Sequence, residues 1–283
     1  MSVNKPAIPF QSNYIEINGC RMHYFDEGKG DVILFAHGIP EWSMTYAKLI
    51  NELSTNYRCI IPDHIGFGLS DKTDKLPLTP KAHAERLLQF IDKLQLKDIN
   101  LVVHDFGGPI GMGALVSQPG LFHTLTISNT WLWSLVGTKV GDGLKMMQDF
   151  VGKWLYLSYG FSVKYMAKNA FANKKDFDAV RDIFMYPYQT KADRYANYQL
   201  MLEMLNSGAY YDECLARLKQ LNMPVQIVWG MKDKFFPHSD YLERWKKELP
   251  QASIKLLPDS GHFPQIETPR AFAGAIKEIA VVV

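Results

Sequence analysis

The sequence predicts an α/β fold in which helices flank a mostly parallel central sheet and a helical cap is inserted between two strands. Short apolar runs alternate with helical patterns along the first third of the 283 residues. The strand pattern then disappears over residues 131–222 and returns after them. Alternation of this kind is typical of parallel strands that are connected by helices.

The apolar runs predict each strand in turn. They lie at residues 32–36, 59–62, 101–104, 125–128, 225–229 and 254–257. Helical patterns cover residues 44–53 and 82–94 between the first of them. Thr79 and Thr268 each place a possible capping side chain directly before a proline, so we expect helices to begin at both positions.

Length and composition favour one catalytic domain. With 47% hydrophobic residues the chain can bury a large core. We expect a core domain made of residues 1–130 and 223–283, and a cap made of residues 131–222. Tyrosine, phenylalanine and methionine accumulate in the cap, which is compatible both with a helical bundle that buries its own aromatic faces and with a lid over an apolar pocket.

Charge and cysteine content exclude several classes of partner. Lys and Arg total 31 against 29 Asp and Glu, so the net charge of +2 predicts no nucleic-acid or membrane partner. A small apolar substrate and water fit this balance better, and the oligomeric state is left open. The three cysteines are scattered, which predicts neither a disulfide framework nor a zinc site. Residues 1–10 lack a secretory pattern, and we expect a cytoplasmic protein.

Residues 101–111, Leu-Val-Val-His-Asp-Phe-Gly-Gly-Pro-Ile-Gly, carry the strongest chemical motif. An apolar strand leads into Asp105, and glycines follow where a helix should begin. This pattern is typical of a nucleophile elbow, whose tight turn lifts a reactive side chain above the sheet. Val103 is larger than the residue usual at its position. A surface turn is the alternative, and the metal-binding triplet of protein kinases is excluded because the other kinase motifs are missing.

The remaining catalytic groups follow in the order that this kind of elbow requires. Residues 35–40 follow a strand where an oxyanion loop belongs, so the main-chain N–H groups of Ile39 and Phe106 are candidates for the oxyanion hole. His37, in the same loop, is given a supporting structural role. Asp233 follows the strand at 225–229 and His262 follows the next strand, which gives the order nucleophile, acid, histidine.

These motifs resemble the haloalkane dehalogenase and epoxide hydrolase branch of the α/β-hydrolases over nearly the whole chain. The resemblance rests on residues 37–40 (His-Gly-Ile-Pro), 62–72, 104–107 (His-Asp-Phe-Gly) and 230–233 (Gly-Met-Lys-Asp). It is closest to dehalogenase-like proteins, and it implies an α/β-hydrolase fold. Some relatives place the acid where this chain has Asn129, which has no carboxylate, so Asp233 is the predicted acid.

The sequence departs from dehalogenases at the two usual halide donors. Those enzymes place tryptophan directly after the nucleophile, where this chain has Phe106, and one subset has asparagine where it has Ile39. A buried anion without donors is costly. Three tryptophans of the predicted cap could supply the missing halide donor, or could instead pack in a core: Trp131, Trp133 and Trp154. For epoxide opening, the resemblance implies a tyrosine donor, and the candidates are Tyr156, Tyr159, Tyr186 and Tyr188.

A carboxylate nucleophile suits attack at a saturated carbon, because an ordinary aspartate, with a pKa of about 3.9, is ionised at neutral pH without a base. Asp105 would form an alkyl ester, His262 would activate water to hydrolyse it, and Asp233 would orient the imidazole. No metal or organic cofactor is expected. Haloalkane hydrolysis is the preferred interpretation. Epoxide hydrolysis, ester or lactone hydrolysis, and ligand binding without catalysis remain as alternatives.

Overall fold

A computed structural model describes residues 3–280 and confirms the predicted α/β fold. One sheet contains eight strands: β1 (Asn13–Ile17), β2 (Cys20–Glu27), β3 (Asp31–Ala36), β4 (Tyr57–Pro62), β5 (Ile99–His104), β6 (Phe122–Ser128), β7 (Val225–Gly230) and β8 (Ser253–Leu257). Their spatial order is β1-β2-β4-β3-β5-β6-β7-β8. All pairs from β4 to β8 are parallel, and β1 and β2 add an antiparallel edge. The six predicted strands are β3 to β8.

The β1–β2 hairpin was not predicted, although its turn leaves a trace in the sequence. Asn18 and Gly19 connect the two strands, and both have positive φ values, 53° and 75°. Asn-Gly is the preferred pair for such a two-residue hairpin turn. The flanking strands lack a clean apolar alternation, which is why periodicity alone overlooks them.

Twelve helices accompany the sheet in the described residues. They are α1 (Ala47–Leu53), α2 (Pro80–Lys93), α3 (Gly107–Ser117), α4 (Lys139–Lys145), α5 (Phe150–Trp154), α6 (Ala167–Ala170), α7 (Lys174–Met185), α8 (Tyr195–Asn206), α9 (Gly208–Leu218), α10 (Tyr241–Glu248), α11 (Pro264–Glu267) and α12 (Pro269–Ala280). Two π-helical turns, Leu155–Tyr159 and Ser162–Met166, lie between α5 and α6.

The predicted helix starts are confirmed at α2 and α12, but the predicted caps differ. The Thr79 hydroxyl accepts a hydrogen bond from the Ala82 amide at 3.2 Å. The Thr268 hydroxyl finds no partner within the described part of the chain. The predicted helix over residues 44–53 begins as a 3-10 turn, Ser43–Tyr46, before α1.

Helices cover both faces of the sheet because successive strand residues point in opposite directions. Ile33 and Phe35 pack on the side of α1 and α12, whereas Leu34 and Ala36 pack on the side of α2 and α3. Both faces are therefore buried, as the continuous apolar runs of parallel strands require. None of the described helices is long and apolar enough to cross a bilayer.

In the described residues the chain between β6 and β7 contains no strand, and it forms α4 to α9 with turns and loops between them. Of these, α9 packs against α3 beside the sheet. The division into a core and a cap at residues 131 and 222 stays a prediction. The ends of the predicted core domain, residues 1–2 and 281–283, lie outside the described part of the chain.

Candidate active site

Asp105 occupies a sharp turn between β5 and α3. Its φ is 49°, a left-handed value that is uncommon for a residue with a side chain. A Cβ on Gly107 would lie 1.9 Å from the Ala36 carbonyl oxygen, and one on Gly111 would lie 2.6 Å from Val103 Cγ1. The turn therefore needs glycine at position 107, and Gly111 makes room for the large side chain of Val103.

The carboxylate of Asp105 is held by the loop that was predicted to form the oxyanion hole. The Ile39 amide donates to Asp105 Oδ1 at 2.7 Å. The Phe106 amide has no hydrogen-bond partner among residues 3–280, so it is free to donate to a reacting oxygen. The Asp105 side chain is 9% exposed, which leaves it within reach of the cavity described below.

His262 lies between two carboxylates. Its Nε2 is 3.5 Å from Asp105 Oδ2, and its Nδ1 is 2.8 Å from Asp233 Oδ2. The loops after β5, β7 and β8 supply the three residues. The carboxyl ends of parallel strands lie along one edge of a sheet, so these loops meet there.

The surroundings of Asp233 hold it in place for this contact. Its Oδ1 accepts hydrogen bonds from the amides of Phe235 and Phe236, at 2.8 and 3.1 Å. Asn129 donates to Asp233 Oδ2 at 2.8 Å. The residue at the position where some relatives carry the acid therefore holds the Asp233 carboxylate in this chain. Burial would raise the pKa of Asp233, but His262 and these donors hold it below its usual value.

The same arrangement favours a protonated histidine. Burial alone would lower the pKa of His262, yet the charges and hydrogen bonds of Asp233 and Asp105 raise it to about 10. This shift favours the protonated form of His262 at neutral pH, and the lowered pKa of Asp233 favours its ionised form. Loss of the negative charge on Asp105 would remove part of this effect.

Sequence reasoning missed a second buried acid–histidine pair, Glu41 and His104. His104 Nδ1 lies 2.7 Å from Glu41 Oε2, and its Nε2 lies 2.6 Å from the His262 carbonyl oxygen. Both ring nitrogens of His104 therefore have an oxygen within hydrogen-bond distance. Burial would raise the pKa of Glu41, but the contact with His104 holds it below its usual value.

This pair connects the loop after β3, which contains Glu41, to the loop after β8, which contains His262. Glu41 Oε2 also accepts a hydrogen bond from the Gly38 amide at 3.0 Å, and Gln265 donates to Glu41 Oε1. His104 directly precedes Asp105, which was the one trace of this network in the sequence. Glu41 had none, because a glutamate beside a proline is ordinarily a surface residue.

A cavity of about 660 Å³, counted out to the solvent, opens above Asp105 and His262. Its wall is mostly apolar and includes Ile39, Phe106 and Met201. Besides Asp105 and His262, the polar side chains in the wall, as far as the structure describes it, are Tyr156 and Ser162.

The Tyr156 hydroxyl is nearly free. Its hydrogen bond goes to the Met166 sulfur at 3.9 Å, and a thioether is a weak acceptor. Burial, together with the charge of Asp105, raises its pKa, so Tyr156 stays a neutral donor at physiological pH. Ser162 accepts a hydrogen bond from Asn197 Nδ2 at 3.0 Å, which leaves its own proton available.

Of the seven aromatic residues proposed from the sequence, Tyr156 is the one found in the cavity wall. Trp131 is buried edge-on against Phe106, with ring centroids 4.9 Å apart, and Trp133 packs against Trp245. The Tyr188 hydroxyl donates to the Glu41 carbonyl oxygen at 2.8 Å. The remaining three lie at the surface or partly buried away from the cavity: Trp154, Tyr159 and Tyr186.

In the part of the chain that the structure describes, no group of three or more His, Cys, Asp or Glu side chains is placed to hold a metal ion.

Comparison with known proteins adds independent findings. A family model described as alpha/beta hydrolase fold matches residues 31–269. A cis-3-alkyl-4-alkyloxetan-2-one decarboxylase from Shewanella oneidensis is 33% identical, over 90% of this chain and 84% of its own. Haloalkane dehalogenase 2 from Mycobacterium tuberculosis is 29% identical, over 95% of both chains. The crystal structure of haloalkane dehalogenase DbeA from Bradyrhizobium elkani superimposes with a TM-score of 0.86 at 19% identity, covering 97% of this chain and all of the other.

Proposed function

The chain belongs to the alpha/beta hydrolase fold family, and on this basis we propose that it opens small apolar substrates by attack of Asp105 on a saturated carbon. The bond that breaks is to oxygen, in a strained ring such as an oxetan-2-one or an epoxide. The observation that carries this choice is the Tyr156 hydroxyl, a buried donor in the cavity with only a sulfur as partner. The two positions at which dehalogenases hold a halide with side-chain donors are apolar here, Ile39 and Phe106.

In the first step an oxygen of Asp105 displaces the ring oxygen and forms an alkyl ester. Oδ2 is the attacking atom, because Oδ1 already accepts the Ile39 amide at 2.7 Å. Tyr156 donates to the ring oxygen as negative charge develops on it. A donor placed where charge develops in the transition state lowers the barrier more than one that binds the ground state.

Esterification prepares the second step. The ester has no charge, so His262 loses the influence of Asp105 that helped to raise its pKa. His262 then releases its proton to solvent, and the neutral imidazole takes a proton from a water whose oxygen attacks the ester carbonyl carbon. The oxygen held by the Ile39 amide becomes the oxyanion, and the free Phe106 amide is the second donor.

Ser162 favours a lactone over an epoxide. A lactone leaves as a carboxylate with two oxygen atoms, whereas an epoxide leaves as a single alkoxide oxygen. Tyr156 and Ser162 supply two O–H donors from two successive π-helical turns, a rare geometry that is often found at functional sites. The name of the Shewanella relative, a decarboxylase of oxetan-2-ones, supports the same substrate class.

The proposal is tested by trapping the ester. His262→Gln should still form the adduct but should break it slowly, because the water is no longer activated. Intact-protein mass spectrometry after mixing with an oxetan-2-one or an epoxide should show addition of the whole substrate mass, and peptide mapping should place it on Asp105. Asp105→Asn is the matched control and should form no adduct. A folded His262→Gln variant that forms none while the parent turns over would contradict the two-step scheme.

Product analysis of the parent then identifies the reaction of the ester. A hydroxy acid from an oxetan-2-one shows hydrolysis, and an alkene with carbon dioxide shows loss of the carboxylate instead. Turnover of no oxetan-2-one, epoxide, bromoalkane or activated ester would favour a ligand-binding protein on a hydrolase scaffold.

Haloalkane hydrolysis is the second candidate. It is favoured by the dehalogenase from Mycobacterium tuberculosis, whose similarity extends over 95% of both chains. Here Tyr156 would donate to the departing halide. Halide release from a bromoalkane, with an adduct that has lost its bromine, distinguishes this candidate from ring opening.

A further inference from the structure

Exposed apolar side chains are concentrated in one segment of the chain. Among residues 3–280, eleven large apolar side chains are exposed, and eight of them lie between positions 136 and 165. Phe150 is 84% exposed, Met146 73% and Trp154 52%. The full set is Val136, Val140, Met146, Phe150, Val151, Trp154, Tyr159 and Tyr165, which we name the apolar patch. Exposed apolar surface that is concentrated in one segment favours a site of interaction.

The same segment is basic. Residues 136–168 contain five lysines and two aspartates, a formal net charge of +3, although the whole chain has only +2. The rest of the chain is therefore slightly acidic. The net charge of the whole chain, from which no membrane partner was predicted, sums this basic segment and a slightly acidic remainder. Lysines interspersed with tryptophan, phenylalanine and tyrosine are typical of segments that lie in a membrane interface.

The patch adjoins the substrate cavity. Val140 is 39% exposed and also belongs to the cavity wall, and Leu144, one turn later on α4, lines the cavity too. An apolar compound dissolved in a lipid layer could therefore enter the cavity beside α4 without crossing water.

We propose that the apolar patch, with the lysines around it, docks on the surface of an anionic phospholipid bilayer and takes apolar substrate from it. Aromatic side chains would enter the headgroup region, and Lys153 and Lys164 would face the anionic headgroups. A second copy of the chain is a poorer occupant, because a symmetric contact would place one +3 segment against another.

Sedimentation with vesicles tests this proposal. The full-length protein is mixed with phosphatidylcholine vesicles that either contain or lack phosphatidylglycerol. We expect binding to the anionic vesicles that weakens as salt is added. The double variant Lys153→Gln/Lys164→Gln should bind them about 25-fold more weakly, at about fivefold per lysine. Phe150→Ser/Trp154→Ser should weaken binding at least about tenfold.

Matched controls use equivalent residues outside the segment. Leu256→Ser removes a side chain that is 50% exposed, and Lys29→Gln/Lys97→Gln removes two exposed lysines, so neither should change binding. All variants should turn over a short water-soluble substrate equally, because none of the replaced residues lines the cavity. Asp105→Asn should bind vesicles like the parent, which separates this proposal from the proposed chemistry.

Two results would overturn the proposal. One is a parent protein that does not sediment with anionic vesicles, or whose binding neither double variant changes. The other is a dimer in gel filtration that Phe150→Ser/Trp154→Ser dissociates while vesicle binding is absent, which would assign the patch to a second copy.

Discussion

Replacing Asp105 by asparagine should lower the pKa of His262 by about 3 units. Asparagine has nearly the shape of aspartate but no charge, so it imitates the uncharged ester that the proposed first step would form at Asp105. The variant therefore measures how far the first chemical step would prepare His262 to act as a base in the second.

The magnitude follows from the distance between the two groups. Asp105 Oδ2 and His262 Nε2 are 3.5 Å apart, and both side chains are at least nine-tenths buried. Coulomb's law with an effective dielectric constant of about 20 gives about 5 kcal/mol at that distance. At 1.36 kcal/mol per unit, this corresponds to about 3 to 4 pKa units. A pKa of about 10 in the parent would fall to about 6 or 7, within reach of physiological pH.

Nuclear magnetic resonance titration of histidine ring carbons gives the measurement. The His262 resonance is assigned by its loss in His262→Gln. Asp259→Asn removes a carboxylate whose side chain is 83% exposed and should leave the His262 titration unchanged. A His262 pKa in Asp105→Asn that stays within about one unit of the parent would refute the coupling, and with it the idea that ester formation activates the base.

Three further outcomes are expected. Phe106→Trp should increase bromide release from bromoalkanes, because an indole N–H can hold a halide, and an unchanged rate in the folded variant would show that halide binding does not limit the reaction. Tyr156→Phe should slow adduct formation about 100-fold in single-turnover experiments and leave adduct breakdown unchanged; equal formation rates would remove Tyr156 from the mechanism. Burial lowers the pKa of His83, with help from Arg86 and His37, and both its ring nitrogens lack partners in the described structure. Below about pH 6.5 the unfolded chain therefore binds a proton at this residue that the folded chain does not bind, so acid destabilises the parent. The free energy of unfolding of His83→Phe, measured with urea, should fall less on acidification, by up to about 1.4 kcal/mol per pH unit. Equal pH dependences of the parent and the variant would contradict this.

Local patterns were sufficient to predict the sheet and the positions of the three candidate catalytic residues. Buried parallel strands favour apolar residues, and β3 to β7 are largely apolar, whereas the edge strand β8, Ser-Ile-Lys-Leu-Leu, is interrupted by Lys255. The loops after such strands lie along one edge of the sheet, so Asp105, Asp233 and His262 could be expected to meet from chain order alone. The β1–β2 hairpin shows the limit of this reasoning, because its edge strands carry no continuous apolar run.

The surroundings of these residues depend on packing between distant parts of the chain. Glu41 meets His104 across 63 positions, and His104 meets His262 across 158. No local pattern encodes such contacts, since each residue alone has the composition of a surface or a core site. Between β6 and β7, Tyr156 faces the cavity while Tyr159, three residues later, faces solvent. The π-helical turns and the packing of each short helix set these directions, and an aromatic-rich sequence fits several rotations equally well.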